Sequence, residues 1–280
     1  MKVAIAGAGV MGSGIALCSI LAGHQTLLFD ISEAALAKGK ELIEKELNKS
    51  LDKGKISIEQ KNAALTLLVC SSDKNDLQAD LILEAVLEKL EIKKDLFRHI
   101  ESINSPDSIL ASNTSSIPIT QIAAGLQHPK RFVGIHFFNP AHIMKLVEII
   151  KGAETKDEVA EKAFKWAEGL GKQAVMAADA PGFIVNRVAR HYYVEGLKIL
   201  EENVADFQAI DRLCESSGFK MGPFRLMDLI GVDTNYSVTG SMFELFGYDS
   251  KFRPSRIQKQ KVDAGHHGRK SGKGFYNYEK

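Results

Sequence analysis

The stretch Val3-Ala4-Ile5-Ala6-Gly7-Ala8-Gly9-Val10-Met11-Gly12 runs a short apolar strand into G-x-G-x-x-G and then into a series of small residues. Each glycine answers a separate demand. Gly7 permits a tight turn, Gly9 removes a side chain where backbone must approach a pyrophosphate, and Gly12 lets helix and strand pack closely. The helix that follows such a turn presents N–H groups and partial positive charge to phosphates. Gly-rich turns also arise for packing alone, so the surroundings decide. The helix ends near Gly23, a second strand Thr26–Phe29 follows, and Asp30 lies 18 residues after Gly12, where a carboxylate binds adenosine ribose hydroxyls. These features predict a dinucleotide site built on Gly7, Gly9, Val10, Met11, Gly12 and Asp30. A 2′-phosphate would meet the negative charge of Asp30, and Ile31-Ser32 rather than a basic residue follow it, so NAD is expected over NADP.

Outward from this motif, short apolar runs alternate with amphipathic stretches through the first two thirds of the chain, the pattern of a parallel sheet covered by helices. Predicted strands are Lys2–Ala6, Thr26–Phe29, Thr66–Cys70, Leu81–Glu84, Ile109–Ser112, Phe132–Phe137, Lys145–Ile150 and Gln173–Ala177. Predicted helices between them include Ser32–Asp52, Glu88–Glu101 and Lys156–Leu170. After Pro181-Gly182 the rhythm changes, and Phe183–Glu202, Asp206–Ser217, Pro223–Ile230 and Thr234–Phe246 all read as helices. The expected fold class is therefore α/β: a Rossmann-type doubly wound domain over residues 1–181, then an all-helical domain over 182–280. Asp179 is a candidate cap for the first C-terminal helix, with Pro181 near its first position.

Composition sets limits. The 280 residues are 45% hydrophobic and 25% charged, which is ordinary for a globular protein. Lys and Arg number 36 against 35 Asp and Glu, a net charge of +1 that offers no field for gripping nucleic acid. Cys18, Cys70 and Cys214 are widely spaced and odd in number, so no disulfide framework and no metal site is expected, and a reducing, cytoplasmic setting follows. No formal charge occurs from Val3 to Gly23, but Gly7, Gly9, Gly12 and Gly14 break the apolar helix that membrane insertion needs, so no membrane association is expected.

Two segments carry candidate chemistry. His136 stands in the apolar run Phe132–Phe137, where a lone histidine is most often a core residue. Glu148 follows 12 positions later inside Lys145–Ile150, where an unpaired buried carboxylate would be costly. The turn Asn139–Ile143 can return the second strand beside the first. A carboxylate holding one imidazole nitrogen leaves the other as a base, which suits alcohol oxidation. A purely structural His–Glu hydrogen bond remains the alternative. Ala111-Ser112-Asn113-Thr114-Ser115-Ser116 places polar residues after an apolar strand, in the crevice where doubly wound sheets bind ligands. Ser115 or Ser116 can equally cap a helix starting near Ile117-Pro118.

Seven segments taken together resemble the L-3-hydroxyacyl-CoA dehydrogenase family, including bacterial 3-hydroxybutyryl-CoA dehydrogenases. They are GAGVMG at 7–12, ASNTSS at 111–116, HFFNP at 136–140, MKLVEI at 144–149, PGFIVNR at 181–187, MGPF at 221–224 and GRKSGKGFYNY at 268–278. The resemblance runs from end to end and implies roles. His136 takes the proton of a 3-hydroxyl and Glu148 orients and polarises it. Ser115 and Asn186 hydrogen-bond substrate oxygens. Glu88, Lys93, Asn113, Ser115 and Asn139 lie on the cofactor side, and Lys270 approaches the cofactor. Among Lys45, Lys49, Lys53 and Lys55, Lys53 is the candidate for coenzyme A phosphate, although interleaved Glu41, Glu44 and Glu46 also fit a solvated helix face. Glu46 and Arg225 depart from the small hydroxyl and acidic residues that the family often carries. The resemblance further implies an acyl-CoA thioester substrate and a homodimer formed by the helical domain.

Two rival functions share this fold: an NAD-dependent dehydrogenase of a free 3-hydroxy acid or sugar acid, and a non-enzymatic NAD-bound protein. Fold alone does not separate them.

Overall fold

The computed structural model describes residues 1–278, which form two compact units divided between Ala180 and Pro181. In the first unit, β1 (Lys2–Ala6), α1 (Val10–Leu21), β2 (Gln25–Phe29), α2 (Glu33–Asp52), α3 (Ile58–Thr66), β3 (Leu68–Ser71) and β4 (Leu81–Glu84) follow in order. Then come α4 (Leu90–Ile103), β5 (Ile109–Ser112), α5 (Ile119–Ala123), β6 (Phe132–Phe137), β7 (Leu146–Lys151), α6 (Asp157–Gly169) and β8 (Gln173–Ala178). The eight strands make one sheet in the order β3-β2-β1-β4-β5-β6-β7-β8. All neighbours are parallel except β6 and β7, which are antiparallel. This is the expected doubly wound sheet, and its strand order reverses between β1 and β4, the switch point where such sheets bind ligands.

The central strands β1, β4, β5 and β6 are buried along nearly their whole length, as parallel strands covered on both faces must be. Helix α1 buries nine of its twelve residues, packing against β1, β2, α2 and α3, which explains why it is apolar on most sides. Helices α2, α4 and α6 are amphipathic, and α6 contributes Val159, Ala163 and Trp166 to the same core as Val3, Ile5, Val133 and Ile149.

The second unit holds α7 (Val185–Glu201), α8 (Phe207–Ser216), α9 (Pro223–Ile230), α10 (Val232–Leu245) and α11 (Arg256–Asp263). Its core gathers Tyr193, Leu197, Ile210, Phe224, Met227, Val232 and Phe275. Asp228 accepts hydrogen bonds from the N–H groups of Phe275 and Tyr276, both at 2.9 Å, and so fastens the C-terminal loop to α9.

Several predicted boundaries shift for local reasons. Helix α3 and helix α11 are additional to those expected. The Ser57–Gln60 capping box starts α3, whose Thr66 end displaces β3 to Leu68. Helix α4 begins at Leu90 rather than Glu88, because Glu88 turns to the loop after β5. Helix α7 begins at Val185 rather than Phe183, since Gly182 and Phe183 both have positive φ (71° and 48°). Asp179 does not cap α7. Its carboxylate accepts from the N–H groups of Ile119 and Thr120, each at 2.8 Å, and caps α5 instead. Ser115 and Ser116 are accordingly not the caps of α5, whose N-cap position is Pro118.

Candidate active site

The turns leaving the C-terminal ends of β1, β4 and β5, and the last residues of β6, carry the candidate groups. At β1 the chain turns through Gly7 with φ of 111°, and a Cβ there would lie 2.5 Å from the Ala85 carbonyl oxygen. At Gly12 a Cβ would lie 1.7 Å from the Gly7 carbonyl oxygen, so both positions require glycine. A Cβ on Gly9 would meet nothing within 4 Å, so the strand-to-helix turn borders open space there. Gly9 is the N-cap of α1 and no side chain caps it, which leaves the first-turn N–H groups at Val10 and Met11 available to an anion. The Asp30 carboxylate accepts from Ala8 N–H at 2.9 Å and from Ser32 N–H at 3.0 Å, holding it at the rim of this turn. Uncapped donors, a side-chain-free approach and a carboxylate at the end of β2 suit a dinucleotide.

A second group is fastened by buried charge. Lys93 on α4 is 1% exposed and its ammonium lies 2.5 Å from Glu84 and 3.0 Å from Glu88. Glu84, at the end of β4, also accepts from Ser112 Oγ at 2.6 Å and Val86 N–H at 2.7 Å. Burial pushes the Glu84 carboxyl above its ordinary range, and Lys93, Ser112 and Val86 pull it part of the way back. Glu88 accepts from Thr114 Oγ1 at 2.5 Å, Ser115 N–H at 3.0 Å and Ser116 Oγ at 3.1 Å. Burial acts to raise its carboxyl too, but there Lys93 and the hydroxyl and amide donors outweigh it and hold the group below its usual value. Glu88 therefore pins the loop 113–116. Asn113 Oδ1 accepts the N–H of Phe137 at 2.8 Å, tying that loop to the end of β6.

The third group sits on β6 and β7. Antiparallel pairing sets His136 directly opposite Glu148, with side chains on one face of the sheet. His136 Nδ1 lies 2.7 Å from Glu148 Oε2, and the two residues are 5% and 0% exposed. A proton on Nδ1, shared with the carboxylate, makes Nε2 the basic nitrogen of the ring. Phe138 flanks the imidazole with ring centroids 4.6 Å apart.

The remaining candidates belong to other segments of the chain. Lys53 is the exposed C-cap of α2, with Lys45, Lys49 and Lys55 exposed nearby. Glu46 lies 2.5 Å from Lys49 and 3.4 Å from His142 Nε2, bridging α2 to the turn after β6. Asn139 is exposed in that turn. In the second unit, Asn186 occupies the first turn of α7, and Lys270 is held by both Asp233 oxygens at 2.7 and 2.8 Å. Arg225 lies 4.4 Å over the ring of Tyr276 and 3.6 Å from Glu215. Glu84 is a site-building residue that the sequence does not single out, and Thr114, which stands out only as one of the polar run 111–116, is the hydroxyl that meets Glu88. The signal for Glu84 is a carboxylate ending the buried run Leu81-Ile82-Leu83, the same signal that singles out Glu148.

Known proteins resemble the chain along its whole length. Residues 2–180 match the 3-hydroxyacyl-CoA dehydrogenase NAD binding domain, and residues 182–278 match the 3-hydroxyacyl-CoA dehydrogenase C-terminal domain. A 3-hydroxyadipyl-CoA dehydrogenase of Escherichia coli is 45% identical over 99% of this chain, which spans 58% of that relative's length. A probable 3-hydroxybutyryl-CoA dehydrogenase of Deinococcus radiodurans is 41% identical over 99% of this chain and 100% of its own length. The crystal structure of (S)-3-hydroxybutyryl-CoA dehydrogenase from Ralstonia eutropha superposes with a TM-score of 0.96 at 36% identity, covering 100% of this chain and 99% of that one. With matching domains in the same order, a dinucleotide turn and the expected sheet, the chain belongs to the 3-hydroxyacyl-CoA dehydrogenase family of oxidoreductases, its first unit being that family's NAD-binding domain.

Proposed function

We propose that this protein interconverts a 3-hydroxyacyl-CoA thioester and the corresponding 3-oxoacyl-CoA, with His136 as the proton carrier. The observation that carries the reading is the buried His136–Glu148 pair at 2.7 Å. Oxidation of a 3-hydroxyl removes a proton from oxygen, and with Glu148 on Nδ1 we assign its uptake to Nε2 of His136. Glu148 fixes the tautomer and orients the ring. In reduction the same imidazolium returns the proton. NAD, when bound, would accept the hydride that leaves C3 of the substrate. Gly9, Val10 and Met11 offer backbone to its pyrophosphate, and Asp30 takes the adenosine ribose. Glu88 and Lys93 hold the 113–116 loop, so that Asn113 and Ser115 flank the reacting groups. Ser115 and Asn186 are assigned the substrate oxygens, Asn139 and Lys270 the cofactor side, and Lys53 a coenzyme A phosphate.

The names of the relatives span two acyl classes, a short monocarboxylic chain and a six-carbon dicarboxylic one, and both are compatible with the His136–Glu148 chemistry. Homodimerisation through the second unit is supported by exposed apolar residues such as Val188 and Leu213. A cytoplasmic setting accords with three unpaired cysteines, and among the described residues no helix is long and apolar enough to cross a membrane.

The deciding experiment is NADH oxidation with acetoacetyl-CoA, run beside free acetoacetate and with NADPH as alternative donor. Turnover that needs both the thioester and NADH is expected. Turnover on the free acid alone would transfer the protein to the hydroxy-acid or sugar-acid class. NADH binding without turnover on either would leave a non-enzymatic NAD-bound protein.

A further inference from the structure

Arg190 stands in the second unit, one helical turn after Asn186 on α7, and is 4% exposed. Its Nη1 donates to the Asn235 carbonyl at 2.9 Å and to Thr239 Oγ1 at 2.8 Å, both on α10. Its guanidinium lies 4.8 Å over the ring of Tyr193. Gln258 on α11 completes the cluster by donating to Asn235 Oδ1 at 2.9 Å. Every one of these neighbours is neutral. Among the described residues Arg190 forms no ion pair, and two buried donors, its Nε and Asn235 Nδ2, have no hydrogen-bond partner.

A guanidinium enclosed without a counter-charge is an expensive arrangement, and burial lowers Arg190 to about 10. The planar fork of arginine is matched to carboxylate, and the orphan donors in this cluster are of the kind a carboxylate satisfies. Helix residues four apart share a face with Cβ atoms about 5–6 Å apart, so Arg190 lies beyond Asn186 by roughly the length of a few methylene groups. If Asn186 holds an oxygen near the reacting carbon, Arg190 is in range of the far end of the same acyl chain.

We infer that Arg190, with Asn235, receives the free terminal carboxylate of a dicarboxylic acyl-CoA, and so determines which acyl class this enzyme prefers. The inference rests on the thioester reading above and narrows its substrate to 3-hydroxy dicarboxylic thioesters. Arg190 takes no part in proton transfer. It positions the chain by a charge-assisted hydrogen bond made at the end remote from C3.

The test compares kcat/KM for NADH-linked reduction of 3-oxoadipyl-CoA, its terminal methyl ester and acetoacetyl-CoA. The unsubstituted enzyme is expected to favour the free acid over the ester by roughly 10- to 100-fold, the range of a hydrogen bond to a charged group. Arg190→Met should bring that ratio close to one, chiefly through KM for the free acid, and Arg190→Lys should give an intermediate ratio. Equal kcat/KM for acid and ester in the unsubstituted enzyme would overturn the inference, as would an Arg190→Met enzyme that keeps the preference. Should Arg190→Met fail to fold, the acid-to-ester ratio of the unsubstituted enzyme and of Arg190→Lys decides. Turnover of acetoacetyl-CoA with no acid preference separates failure of this inference from failure of the thioester reading, which would appear as no NADH oxidation with any of the three.

Discussion

Once one nitrogen of a buried imidazole is held by a carboxylate, the chemistry of the ring concentrates in the other. This is the situation of His136, and replacing it by Gln, which keeps a polar side chain but neither takes up nor releases a proton near neutral pH, should lower kcat about 10²–10⁴-fold. NADH affinity, followed by fluorescence titration, should be retained. Near-normal turnover of His136→Gln would end its assignment as proton carrier. Glu84 and Lys93 make a different demand. Glu84→Gln leaves the ammonium of a residue that is 1% exposed without one of its two carboxylates, and breaking a buried pair of this kind costs about 3–5 kcal/mol. Urea denaturation reads that loss, and a variant as stable as the parent would contradict the structural role given to Glu84. Glu88 supplies a pH dependence. Its carboxyl is held below the ordinary range in the fold, so ionised Glu88 contributes stability that is fully present above the unfolded value, about 4.3. That contribution is lost as pH falls through the folded value. The stability gap between the parent and Glu88→Gln should therefore be largest near neutrality and close under acid conditions. A gap that widens below about pH 4 would have the wrong sign.

At the scale of elements, the sheet places the chemistry through register. The antiparallel pairing of β6 with β7 sets His136 opposite Glu148, and a slip of one residue would turn Glu148 to the other face. Helix α5, only five residues long, depends on a cap from a distant segment, since Asp179 accepts from Ile119, Thr120 and the Thr120 hydroxyl. Asp179→Ala should cost about 0.5–2 kcal/mol in a thermal or denaturant melt, and a neutral result would mean that α5 is held by its packing alone. Helix α1 depends on Gly12, where the nearest backbone atom would be 1.7 Å from a new Cβ. Gly12→Ala should separate helix from strand and weaken NADH binding more than it weakens the second unit.

At the scale of the molecule, two units with separate cores divide the work, and the family match assigns NAD binding to the first. The second carries Asn186, the Arg190 cluster and exposed apolar side chains on several helices. Size-exclusion chromatography with light scattering should give twice the chain mass. Charge substitution at Val188, which is exposed, should shift that mass toward the single chain if α7 lies in the dimer contact, and an unaltered dimer would place the contact on another helix.

Much of this architecture is determined by local physics that the sequence carries openly. Glycine spacing after an apolar strand, buried strands that read as continuous apolar runs and a change of period at Pro181 are sufficient for a doubly wound unit followed by a helical one. The His136 and Glu148 pair is legible as a possibility, because an ionisable group inside an apolar strand needs a partner. What the sequence cannot carry is any contact whose partners are far apart in the chain and chemically unremarkable alone. Asp179 reads as the cap of the helix beside it, yet the fold delivers it 59 and 60 residues away to α5. Helix α3 lacks a strong apolar stripe and forms where a capping box and packing against α1 support it. The Lys93 cluster needs Glu84, Glu88 and the 113–116 loop to meet, which happens only when β4 and β5 pair in register. Periodicity and spacing determine which elements exist, because they depend on neighbours in sequence. Which charges face one another is decided by the tertiary structure alone, because burial in a shared low-dielectric interior is a property of the assembled sheet and not of any segment of it.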